Sequence, residues 1–258
     1  MLIRALALAV AASVAACAPL GAVNELAPTG KLRFGIVSAP KGSTFFVVKD
    51  QNGEPHGVTV DLALELGKRL GVEVEFTIAP NSGLITDALA AAKIDAAFMP
   101  VDDERRKRVD FGPAYAMGRN TFLVSAASGI RTMAEVDRPN VRVVAISGTT
   151  TIRTSQRVLK TAKVFAATSV DEALEALRSG KAEAFALSHD TLAALAPRVP
   201  GSRILDGDFN KLFVAIAVPK NRPAALAYVT EFMEDAKRSG IVRRAFDDSG
   251  FKSAEVAP

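Results

Sequence analysis

Two successive runs of strand, helix, strand, helix, strand constrain this chain more than any other feature. In the first run, Leu32 to Val37 is a short β-type segment. Apolar residues at 60, 62, 63, 66 and 70 then mark an amphipathic helix that stops at Gly71. Val72 to Ile78 alternates as a strand, Ile85 to Ala92 reads as a helix, and Ile94 to Met99 as a buried strand. Between the first strand and the first helix, Asp50-Gln51-Asn52-Gly53 has hairpin-turn chemistry, flanked by Phe45 to Lys49 and Gly57 to Thr59. The second run has strands at Val141 to Ile146, Val164 to Ala166 and Ala184 to Leu187. Its helices are Thr150 to Lys160 and Val170 to Arg178, with a helical segment at Thr191 to Ala196 after the last strand. Phe213 to Val218 adds a strand, Pro223 to Ser239 a helix, and Ile241 to Phe246 a last helical turn or two. Such alternation predicts α/β lobes with mainly parallel sheets and right-handed crossovers. Two lobes of similar size leave a cleft at the carboxyl ends of their strands, where open α/β sheets bind ligands.

Composition removes several function classes. Of 258 residues, one is Cys and two are His, so an intrachain disulfide, a thiolate cluster and a multi-His metal site are not expected. No cofactor is implied. Zero Trp and two Tyr argue against a Trp-stacked sugar site. The formal net charge is +4 with its basic residues dispersed, so no nucleic-acid partner is expected.

The first residues read as an address. Arg4 precedes a short apolar stretch from Ala5 to Val14, followed by small residues, as in an export signal. The stretch is shorter than the roughly 20 residues that span a bilayer. The one cysteine, Cys17, follows Val14-Ala15-Ala16, as in a bacterial lipobox whose cysteine is lipidated. Residues 1–17 are therefore expected to be signal and lipobox, and residues 18–29, with Pro19, Gly21 and Pro28, a flexible tether. The expected location is the periplasm, with a lipid anchor through Cys17.

An ordered set of segments gives the chain a family likeness. Leu32-Arg33-Phe34-Gly35 is followed by Gly57-Val58-Thr59-Val60-Asp61-Leu62-Ala63, then Lys93-Ile94-Asp95-Ala96. Glu104-Arg105-Arg106-Lys107-Arg108-Val109-Asp110-Phe111-Gly112-Pro113-Ala114-Tyr115 is the most specific. Ser147-Gly148-Thr149-Thr150 and Ala173 to Ala184 complete the series. The chain resembles the family 3 periplasmic solute-binding proteins of ABC importers, the polar amino acid and opine class. The resemblance implies the type II two-lobe periplasmic-binding-protein fold, with lobe one at 30–118 plus 214–258 and lobe two at 119–213. It implies crossings near Gly118 to Phe122 and Lys211 to Phe213. It also implies a small-molecule ligand, an inner-membrane ABC permease as partner, and a protein that acts as a monomer.

The same resemblance assigns Arg105 to a ligand carboxylate, a role that suits a planar guanidinium. Gly148, Thr149, Thr150 and Thr151 follow a strand and open a helix, where free N–H groups and hydroxyls favour an anion. Family members that bind amino acids usually carry an acid after the first strand and another eight residues past the glycine of the helix–Gly–strand segment. Here the first region, Val37 to Thr44, has none, and the second position is Ser188, with Asp190 two residues on. The usual polar run before the arginine reads Ala97-Phe98-Met99-Pro100, and the usual stacking aromatic falls near Asn81 and Ser82. Candidate ligand contacts thus extend to Ser82, Pro100, Ser188 and Asp190, with Phe45, Phe46 and Phe98 as an apolar wall. Asp102 and Asp190 are the acids that could still receive an ammonium. Burying an unpaired ammonium is costly, so the expected ligand is a carboxylated small molecule, amino acids being the runner-up.

Two further readings stay open. A cyclohexadienyl-dehydratase-like enzyme would need an acid poised beside Arg105. An accessory periplasmic protein without a transport role would show a cleft but no small-ligand affinity. Ser188-His189-Asp190 is a poor catalytic triad, because three consecutive residues do not normally form the required chain of hydrogen bonds. The expectation is a binding protein and not an enzyme.

Overall fold

A computed structural model describes residues 18–258; the expected signal at residues 1–17, with Cys17, lies outside the described residues. In chain order the elements begin with α1 (Leu20–Leu26), β1 (Lys31–Ser38), β2 (Phe46–Lys49) and β3 (Pro55–His56). Then come α2 (Val58–Leu70), β4 (Glu73–Ala79), α3 (Ser82–Ala90), β5 (Ala96–Pro100), α4 (Asp103–Arg106) and β6 (Val109–Val124). The second βαβαβ run supplies β7 (Arg142–Ile146), α5 (Thr150–Val158), β8 (Lys163–Ala167), α6 (Val170–Arg178) and β9 (Ala184–Ser188). It leads into α7 (His189–Leu195) and β10 (Arg203–Ile204). The chain closes with β11 (Asn210–Pro219), α8 (Pro223–Arg238), α9 (Ile241–Asp248) and β12 (Glu255–Val256).

The strands form one continuous sheet with two parallel ends. At one end β1 pairs in parallel with β2, β4 and β5; at the other, β7 pairs in parallel with β8 and β9. Two long antiparallel strands join them. β11 pairs with β5 through residues 214–217 and with β6 along most of its length, while β6 residues 120–124 pair with β9. Helices connect the parallel strands at both ends, and α2 shows why they form where they do. Its Val58, Leu62, Ala63, Leu66 and Leu70 lie on one buried stripe, while Leu64 on the opposite face is about half exposed. Each fully buried leucine of that stripe stabilises the fold by about 1.5–3 kcal/mol. A second, smaller core under the far end contains Phe122, Val124, Val136, Val143 and Leu205.

Two local expectations need correction. Residues 18–29 are not a loose tether. Pro19 stands at the N-cap of α1, Ala22 and Leu26 are buried, and the Glu25 carboxylate accepts the Ala225 N–H of α8 at 2.8 Å. Gly21 sits against Ala224 of α8: a Cβ there would lie in ordinary contact, 3.5 Å from that of Ala224. The second hairpin arm is Pro55–His56, because Gly57 already caps α2 and Val58 and Thr59 are helical. The sheet is mainly parallel at its two ends, as expected, and the antiparallel pair β6–β11 joins them.

Candidate ligand cleft

A cavity of about 40 Å³ lies where the two ends of the sheet meet. The loop after β1 contributes Ser43, Thr44, Phe45 and Phe46; Ser82 comes from the start of α3, and Pro100 from the end of β5. The far half contributes Thr149 and Thr151 from the start of α5, with Leu187, Ser188 and Asp190 around the end of β9. The floor is the crossing pair: Ala116 to Asn120 of β6, and Leu212 and Val214 of β11. Ala116, Gly118 and Asn120 alternate along β6, so they share one face of the sheet. A Cβ on Gly118 would meet no atom within 4 Å among the described residues. The cavity opens toward a wider one of about 270 Å³, which shares Met117, Gly118, Arg119 and Asp190. The inner space holds only a few waters.

A ring of polar contacts around this cavity joins the two halves. Arg105 is buried, 2% exposed, behind the cavity wall. Its Nη1 donates to the Pro100 carbonyl at 2.7 Å, and its Nη2 donates to Ser82 Oγ at 2.6 Å and across to the Gly148 carbonyl at 3.2 Å. Burial pushes its pKa down to about 9, the nearby Asp102 carboxylate opposing that shift. Asp102 caps α4 by accepting the Arg105 N–H at 2.9 Å. Its other oxygen accepts the Thr150 hydroxyl at 2.6 Å and a hydrogen bond from Arg153. Burial alone would raise the Asp102 pKa; the hydrogen bonds from Thr150, the Arg105 N–H and Arg153 outweigh it and hold the group below the usual carboxylate range. Asn81 Nδ2 donates across to the Thr168 carbonyl at 3.1 Å. Beside it, Gly83 and Gly148 touch backbone to backbone. A Cβ on Gly83 would lie 2.8 Å from the Gly148 Cα.

The candidates named from sequence divide into two layers. Phe46, Ser82, Pro100, Thr149, Thr151, Ser188 and Asp190 line the cavity. Arg105, Asp102, Gly148 and Thr150 stand behind them in the ring of contacts. Phe98 is farther away, in an aromatic stack with ring centroids 5.2 Å from Phe34 and 4.8 Å from Tyr115. Thr149 caps α5, its Oγ1 accepting the Ile152 N–H at 3.3 Å and donating to the Ile146 carbonyl at 2.6 Å. The first turn of α5 aims its N–H groups at this region, favouring negative charge there. Gly118, Asn120 and Arg119 were not foreseen as ligand contacts; their only sequence signal is the period of two along β6.

Comparison with known proteins decides what kind of cleft this is. Residues 36–248 match the model of the bacterial extracellular solute-binding proteins, family 3. The chain belongs to this family. It is a family 3 solute-binding protein, with a substrate-binding role, and such proteins work outside the cytoplasm. A glutamine-binding protein from Geobacillus stearothermophilus is 27% identical over 194 residues, which is 73% of this chain and 72% of that protein. The crystal structure of an ancestral amino acid-binding protein, a precursor of cyclohexadienyl dehydratase, superposes with a TM-score of 0.76 at 29% identity, covering 88% of this chain and 98% of the other. A mutant of ArgBP from T. maritima superposes with a TM-score of 0.77 at 27% identity, covering 89% and 99%. These likenesses match the mixed α/β architecture, with its central sheet and flanking helices.

Proposed function

We propose that this solute-binding protein captures a small carboxylated solute between its two halves and presents it, closed, to an ABC permease in the inner membrane. One observation carries the reading: the cavity has walls from both halves, and the hydrogen bonds around it cross from one half to the other. A solute that bridges Ser82 and the start of α5 adds contacts only the closed form can make, so it favours closure. Ser82 Oγ accepts from Arg105, which leaves its own proton free to turn toward a carboxylate. The arginine charge and the α5 N-terminus then favour an anion from both sides. On this reading the lobes are residues 30–118 plus 214–258 and residues 119–213, hinged where β6 and β11 run side by side. The protein acts as a monomer in the periplasm, anchored through lipidated Cys17.

A binding role without catalysis fits the side chains of the Ser188-His189-Asp190 run. The Ser188 hydroxyl pairs with Thr191 Oγ1 at 2.7 Å, and His189 Nδ1 lies 3.2 Å from Asp190. The serine is thus engaged away from the imidazole that would have to activate it. One observation favours amino acids as a second reading. Asp190 lines the cavity, two residues past the position where the family usually keeps its ammonium-binding acid.

Thermal-shift measurement of the purified protein against amine-free carboxylates, amino acids and amines tests both. A ligand that binds only the folded state raises the melting temperature by mass action. The proposal expects shifts from amine-free carboxylates and none from simple amines. A shift confined to amino acids selects the second reading and Asp190. A shift from amines alone contradicts both.

A further inference from the structure

The floor of the cleft holds a polar group without a job in the fold. Asn120 is fully buried and lines the cavity, yet neither its Nδ2 nor its Oδ1 has a hydrogen-bond partner among the described residues. Buried amides are nearly always satisfied, so an orphaned one facing a cavity needs an explanation. Its position supplies one. Asn120 pairs directly with Ser188 across the β6–β9 ladder, which puts the two side chains on the same face of the sheet. Ser188 is the residue that stands where an acid would receive an ammonium. The Ser188 hydroxyl is paired with Thr191 Oγ1, so the amide is the unspent polar capacity of this corner. It offers two donors and one acceptor and carries no charge.

We propose that Asn120 is a specificity-determining residue that binds an uncharged polar group of the solute, a hydroxyl or a carboxamide able both to donate and to accept. The inference rests on the solute-binding reading above and narrows it: one end of the solute is a carboxylate near Ser82 and α5, the other a neutral hydrogen-bonding group over β6. A plain carboxylate of the same size would leave the amide unpaired and bind less well. Asn120 itself would offer an ammonium only an amide oxygen and no formal negative charge.

The test uses matched probes and two variants of the whole protein. L-lactate is compared with propionate, L-malate with succinate, and succinamate with succinate, each by thermal shift and titration calorimetry. Wild type should bind the hydroxylated or amidated probe of at least one pair about tenfold or more tighter than its partner. Asn120→Leu should erase that preference, read as the ratio of the two affinities within each pair. Asn120→Asp should lose the preference too. Without any probe, Asn120→Leu should melt at or above the wild-type temperature, because a matched apolar side chain replaces an unpaired amide. Equal preference in wild type and Asn120→Leu overturns the proposal. So does a clearly lower melting temperature of the probe-free leucine variant, which would show the amide to be a structural bond. If wild type responds to no probe and to no other carboxylate, the solute reading itself fails; the probe-free melting comparison then still decides whether Asn120 is an unpaired site group.

Discussion

A guanidinium shut away from water needs acceptors on every side, and Arg105 finds them mostly in backbone. Pro100 and Gly148 carbonyls and the Ser82 hydroxyl take its terminal nitrogens, whereas Nε has no partner among the described residues. Asp102 lies 3.9 Å from its Nε and offsets part of the cost of burying the charge. At the opposite wall Gly118 leaves open floor. Gly118→Val should fill that floor with a side chain that strands tolerate well. The expected outcome is a melting temperature close to wild type and solute affinity reduced about tenfold or more, measured by titration calorimetry with whichever probe binds wild type. A large loss of stability instead would show that the floor is not open. Residue by residue, the legible part of the site was the part written into continuous motifs. Arg105 sits in a charged segment of recognisable order, and Thr149 follows a strand and opens a helix. Asn120 had no such neighbourhood: an asparagine inside a strand looks like any other until Ser188 is placed beside it by the fold.

Two helix starts share one carboxylate. Asp102 caps α4 through one oxygen and holds Thr150 and Arg153 of α5 through the other, so elements from the two halves are tied at a single residue. The sign of its pH dependence follows from the lowered pKa. A carboxylate depressed in the folded protein contributes stability that is fully present above its unfolded value, near 4, and is lost as pH falls through its folded value. Melting curves from pH 7 to pH 3 should show wild type losing stability below about pH 4. Asp102→Asn should lie lower at pH 7 and converge toward wild type in acid. Parallel curves for the two proteins would remove Asp102 from the tie. At this scale the helices were legible from their period of 3.6, β4 from its alternation, and the other parallel strands from short apolar runs. β6 was not. Its 16 residues include Gly112, Pro113 and Gly118, which read as breaks, yet β11 lies against it and keeps it extended through two register shifts. The α1 segment was hidden for a similar reason: proline and glycine suggested a linker, while the packing that orders it comes from α8, about two hundred residues away.

At the scale of the whole molecule the account is a claim about closure. The structure shows the two halves in contact through Asp102, Arg105 and Asn81, and through the backbones of Gly83 and Gly148, around a cavity of about 40 Å³. On the proposed reading, a solute enters as those contacts part and is held as they re-form. Gly83→Ala separates the two steps. Its methyl group would stand too close to Gly148 for the halves to meet, while alanine inside α3 supports the helix by about 0.5–1 kcal/mol. The most direct measurement is small-angle X-ray scattering of wild type and Gly83→Ala, each with and without a saturating carboxylate that binds wild type. The account predicts that the solute lowers the radius of gyration of wild type, and that Gly83→Ala stays expanded and binds more weakly. An unchanged radius in wild type on saturation, or equal compaction in both proteins, would contradict closure of the two halves on the solute.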